Sequence, residues 1–164
     1  MSKFRKDISW LPELILLEDY NGDWEKYNDA LYEIFRNDFI INKQIFKKMP
    51  VSIKTTLTNG KEETFWHITS EKGELERCKR IKWPKAILDN YSDSVIRIWR
   101  NERPRGRYNV LLWLAFDNND EYDYLVVLGE RKGYFHFITA YTIEFSHRKR
   151  KLMKEYLEYI DKGL

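Results

Sequence analysis

The chain of 164 residues has one cysteine, four prolines, seven glycines and three histidines. The lone Cys78 excludes an intramolecular disulfide and a multi-cysteine zinc site, so a reducing, cytoplasmic setting is expected. His67, His136 and His147 stand singly, and neither a metal nor a cofactor is expected. No apolar run approaches the roughly 20 residues of a spanning helix. The opening MSKFRKDISW lacks the apolar stretch of a signal peptide, so no membrane association is expected. Phosphate-loop, nucleophile-elbow and HExxH strings are missing too. A net charge of only +3, with 16% aromatic residues, excludes disorder as the main state. The length fits one domain that buries roughly two-thirds of its unfolded surface.

The small net charge hides an asymmetry. Residues 51–105 hold 12 Lys/Arg against 8 Asp/Glu, whereas the segments on either side are nearly balanced. Within 77–107, Arg77, Lys79, Arg80, Lys82, Lys85, Arg97, Arg100, Arg103, Arg105 and Arg107 face only Asp89, Asp93 and Glu102. A second basic cluster, HRKRK, spans His147 to Lys151. Such clusters are what a phosphate-binding surface requires, although a charge run is also an ordinary solvated face. Interleaved Trp83, Trp99 and Tyr108 strengthen the nucleic-acid reading, because arginine forks phosphate and aromatic rings stack bases.

Periodicity predicts a short helix over 8–20 with Pro12 near its start. It predicts a second over 23–37, capped by Asp23 or Asn21, with Trp24, Tyr27, Leu31, Ile34 and Phe35 as core positions. Residues 51–57 and 63–68 read as a hairpin around Asn59-Gly60. Helical stretches follow at 74–80 and 84–90, broken at Trp83-Pro84. Four strands are expected at 94–100, 107–116, 122–129 and 133–145. Their short polar connections favour an antiparallel meander. A helix over 147–162 closes the chain, with Ser146 as its N-cap. The expected fold is α+β: N-terminal helices and a hairpin, then a four-stranded antiparallel sheet and a C-terminal helix. Residues 1–60 form a helical extension on a core of 61–164.

Few groups fit catalysis. Cys78 has no evident base nearby, and Asp117, Asp120, Glu121 and Asp123 read as a solvated turn rather than a cation site. His67, in TFWHITS, is expected on a strand beside Phe65, with Trp66 and Ile68 on the other face. It is either a packing histidine or a proton carrier. His147 at a helix start is either exposed or a base, its charged form disfavoured by the helix dipole. On the last strand, alternation puts Phe135, Phe137, Thr139, Tyr141, Ile143 and Phe145 on one face. Thr139 and Tyr141 need partners if buried, so they satisfy backbone groups or line a cleft. Histidine, arginine, threonine and tyrosine together suit one metal-free reaction. This is RNA cleavage by its own 2′-hydroxyl, with a base, an acid and donors that offset phosphorane charge.

FWHITS, RCKRIKWPKAIL, VIRIWRNER and the run from Tyr122 to Tyr156 also carry a family likeness. Residues 62–160 resemble the phage-associated branch of the Barnase–EndoU–colicin–RelE nuclease superfamily. The resemblance implies helices before a four-stranded antiparallel sheet and a metal-independent ribonuclease of the toxin or conflict-system type. It implies RNA, transfer RNA included, as substrate, and an antitoxin or immunity protein as partner. It gives His67 the role of base or acid, and Arg77 and Arg80 the grip on the scissile phosphate. Thr139 and Tyr141 would contact phosphate or orient the nucleophile, while His147 and Lys151 supply a second acid/base and a cation. Lys79, Trp83, Arg97, Trp99, Arg100 and Arg103 complete the expected RNA surface. Two rival expectations remain: a non-catalytic RNA-binding module, and a phage-encoded or prophage-encoded factor that binds a host protein through its N-terminal helices.

Overall fold

The computed structural model describes residues 7–69, 75–116 and 121–163. Helix α1 (Trp24–Arg36) forms where expected. The Asp23 carboxylate accepts the Lys26 amide at 3.2 Å, and Tyr27, Leu31 and Phe35 recur every four residues on the buried side. One π-helical turn, Asn37–Ile41, extends it. The helix expected over 8–20 shrinks to a 3-10 turn at Leu17–Tyr20. Upstream, backbone groups bond to other elements instead. The Ile15 amide donates to the Lys79 carbonyl, while the Ile15 and Pro12 carbonyls accept from the Tyr27 hydroxyl and the Trp83 indole.

The chain then makes β1 (Ile45–Phe46) and β2 (Met49–Ser52). Strands β3 (Leu57–Thr58) and β4 (Lys61–Glu62) form a minimal hairpin on Asn59 and Gly60, both at positive φ. The expected second arm of that hairpin is instead helix α2 (Glu63–Thr69). Thr64, Phe65, Ile68 and Thr69 are buried together, a helical spacing that short-range alternation imitates. His67 therefore sits on a helix, not a strand. Helices α3 (Leu75–Lys79) and α4 (Trp83–Asp89) follow, the latter with Pro84 in its first turn.

Strands β5 (Ile96–Arg103), β6 (Arg107–Leu114), β7 (Asp123–Arg131) and β8 (Tyr134–Ile143) form the expected antiparallel meander. The sheet, however, is six-stranded and mixed, in the order β1-β2-β8-β7-β6-β5. Strand β2 joins β8 in parallel through Val51 and Ser52, so residues 1–60 contribute strands as well as helix. Tyr27, Leu31, Phe35, Phe46 and Val51 share one core with the sheet residues Val110, Leu112, Val126 and Phe137. On the other face, helix α5 (Ser146–Asp161) covers Trp99, Leu111, Trp113, Leu125 and Val127 with Leu152, Met153 and Tyr156. Phe145 rather than Ser146 is its N-cap, and no side chain caps it.

A bulge corrects the reading of the last strand. Val127 pairs with Thr139 but Leu128 pairs with Phe137, so Ile138 is an extra residue. One inserted residue inverts alternation beyond it. Phe135 and Phe137 face the α1 core, and Ala140 takes over that side, while Tyr141 and Ile143 turn toward α5. Thr139 and Tyr141 thus leave the phenylalanine stripe to which strict alternation assigned them.

Candidate functional site

Beyond residue 136, β8 has no further strand partner on the side away from β7 among the described residues, and α2 packs along it. Here four elements meet: α2, α3, β8 and α5. The His67 backbone carbonyl, on α2, accepts from Arg77 Nη1 at 3.2 Å and from Thr139 Oγ1 at 3.3 Å. The Arg77 guanidinium, on α3, lies 5.5 Å over the Tyr141 ring. Arg148 Nη2, from the first turn of α5, donates to the Tyr141 hydroxyl at 2.7 Å. Two guanidinium groups, two hydroxyls and the His67 backbone carbonyl therefore meet at one sheet edge. The bulge makes this possible, because it turns Tyr141 toward α5.

His67, Arg77, Thr139 and Tyr141 are sequence candidates that the fold gathers. Arg148 is the member that sequence reasoning missed. It lay inside the HRKRK run, but only a helix phase fixed by Phe145 singles it out from its neighbours. Lys149 beside it reaches the buried Asp123 carboxylate at 3.4 Å, which also accepts the Trp113 indole and the Phe116 amide. Burial raises the Asp123 carboxyl despite these donors and the nearby Lys149 charge. Its role is to close the end of β7.

Other candidates are structural. Arg80 is 2% exposed, too buried to grip a phosphate. It donates to the Glu76 carbonyl and carboxylate and to Glu121, with its guanidinium over the Trp83 and Tyr122 rings. Lys79 pairs with Glu76 at 2.8 Å. Burial alone would raise the Glu76 carboxyl; hydrogen bonds from Lys79 and Arg80 outweigh it and hold it low. Trp83 and Trp99 are buried and donate to the Pro12 carbonyl and the Glu155 carboxylate, so neither ring is open to a base. Cys78 is buried, its thiol raised to about 12 by burial and donating to the Thr69 carbonyl, which removes it as a nucleophile.

The middle arginines lie on the opposite edge. Strand β5 is three strand spacings from β8, about 14 Å. Arg97 occupies the same cross-strand row as Tyr141, but its guanidinium stacks on Trp113 at 4.9 Å. Arg100 forks the Glu130 carboxylate at 2.7 and 2.9 Å and covers Tyr108. Arg103 stands at the β5–β6 tip, opposite Arg107. These residues do not join the β8 cluster. His147 is exposed and stacks on Phe145 with ring centres 5.7 Å apart, and Lys151 is exposed on α5. Asp117 and Asp120 lie outside the described residues. Among the described residues no group of three or more His, Cys, Asp or Glu forms a metal-holding cluster, and no helix is long and apolar enough to cross a membrane.

No family model, curated protein or solved structure matches the chain.

Proposed function

We propose that the chain is an RNA endonuclease that cleaves by 2′-hydroxyl transesterification at the β8 edge. The observation that carries this reading is the meeting of Arg148 and Arg77 on Tyr141, beside His67 and Thr139. Cleavage by this route places extra negative charge on a pentavalent phosphate, and fixed donors at that point stabilise the transition state most. Arg77 and Arg148 supply cationic donors from two directions. Tyr141 accepts from Arg148 and keeps its own O–H to donate. Thr139 donates to the His67 carbonyl and so holds α2 against β8. His67 is the proton carrier in this scheme: it takes the 2′-hydroxyl proton as the 2′-oxygen bonds to phosphorus and delivers it to the 5′-oxygen as the P–O5′ bond breaks.

The test is incubation of purified protein with total RNA and with transfer RNA in EDTA, reading fragment lengths and end groups. Discrete fragments with 2′,3′-cyclic phosphate ends are expected, and a folded His67→Ala protein should not produce them. Fragments bearing only 5′-phosphate and appearing only with added magnesium would overturn the reading. RNA that is bound but stays intact would move the assignment to a binding module.

A further inference from the structure

The residue that opens α5 is unusual for its position. Phe145 is 64% exposed, the most exposed large apolar side chain among the described residues. Its carbonyl accepts the Arg148 and Lys149 amides at 3.1 and 3.2 Å, so its backbone is fixed as the helix cap. Its ring is not buried to match. Instead the His147 imidazole lies against it at an interplanar angle of 24°, a stacked geometry. Two flat π-systems thus stand in solvent at the start of α5. Arg148, the next residue, points to the Tyr141 hydroxyl. An exposed aromatic pair that ends on the residue before an arginine combines the stacking face and the cationic donor that nucleotide recognition uses.

We propose that Phe145, backed by His147, is a nucleobase-stacking platform for the nucleotide next to the cleaved phosphate. This inference rests on the ribonuclease reading and extends it by naming the substrate class. A duplex keeps its bases inside the stack, out of reach of a surface ring, whereas an unpaired base can lie on one. The substrate is therefore single-stranded RNA or the unpaired loop of a folded RNA. The platform reads the π-face, which every base has, so it selects for strand state more than for sequence. His147 accordingly acts as a support for the ring and a base contact.

A short 2′-O-methyl oligonucleotide with a central 2-aminopurine tests this, because it binds but offers no 2′-hydroxyl to react. With the wild-type protein, binding should quench the fluorophore. Phe145→Ala should weaken binding about tenfold and abolish quenching, and Phe145→Trp should restore both. An oligonucleotide that is abasic at that position should bind wild type and Phe145→Ala equally. Phe145→Ala that binds and quenches like wild type would overturn the platform. If Arg148→Gln then still loses binding, the β8-edge interface stands without the platform. If wild type binds no RNA at low salt, both fall.

Discussion

The two edges of the sheet carry similar residues and do different things with them. Each has arginines beside tyrosine rings: Arg77 and Arg148 with Tyr141 at the β8 edge, and Arg100 with Tyr108 at the β5 edge. At the β5 edge Arg100 forks a carboxylate, Glu130, and Trp99 and Asn101 both donate to Glu155. At the β8 edge the partner of Arg148 among the described residues is a neutral phenol. An arginine forked by a carboxylate has its charge offset and two of its five donors engaged, whereas one resting on a hydroxyl keeps its full charge for a phosphate. Basic and aromatic composition alone does not separate the two edges; the charge of the arginine's partner does.

The largest effects should appear where expected RNA contacts proved to be core. Trp99→Ala should lower unfolding stability by about 3–5 kcal/mol in a denaturant titration, because a fully buried indole is lost. A Trp99→Ala protein of wild-type stability that binds RNA poorly would reverse this assignment. Arg80→Ala should cost about 3 kcal/mol by the same measurement, since it removes a buried cation from between Glu76 and Glu121. A loss of cleavage without a loss of stability would return Arg80 to the site.

The edge contrast itself comes next. Arg148→Ala should reduce RNA cleavage about 100-fold, the scale of losing one transition-state donor. Arg100→Ala should change it less than about twofold. Equal losses in initial-rate assays would erase the distinction between the edges.

The smallest effect concerns Asp38, where again surroundings decide what a charge does. Burial lifts its carboxyl to about 6, with Lys85 and Lys82 opposing and Asp89 reinforcing. The fold therefore holds this proton more tightly than the unfolded chain does. That contribution is present below the ordinary value of 3.8 and is lost as the pH rises through 6. Asp38→Asn should stay constant over this range, so its melting temperature should gain on wild type between pH 4 and 7. A wild-type melting temperature that gains on the variant over the same range would show that the carboxylate is favoured.

Much of this was legible in the residues. The four meander strands and α1 follow from alternation and helical spacing, because each pattern there is long and unmixed. His67, Arg77, Thr139 and Tyr141 were readable as candidates from residue type. Three features were not. TFWHIT imitates a strand because Phe, Trp and Ile crowd a stretch too short to show a helical period. The bulge at Ile138 has no glycine or proline to mark it, so the face of Tyr141 could not be assigned. The burial of Trp83, Trp99 and Arg80 depends on partners 41–71 residues away, namely Pro12, Glu155 and Glu121. For the same reason, the link from Tyr141 to Arg148 needed the cap at Phe145 to set the phase of α5.

The salt dependence of RNA binding tests the difference between the edges most directly. Binding of a single-stranded RNA would be titrated across salt concentrations for wild type, Arg148→Gln and Arg100→Gln. Each phosphate contact contributes about 0.7 to the slope of log affinity against log salt for a single strand. Arg148→Gln should reduce the slope by about that amount, and Arg100→Gln should leave it unchanged. A slope that falls for Arg100→Gln and holds for Arg148→Gln would place the RNA on the β5 edge and contradict the assignment.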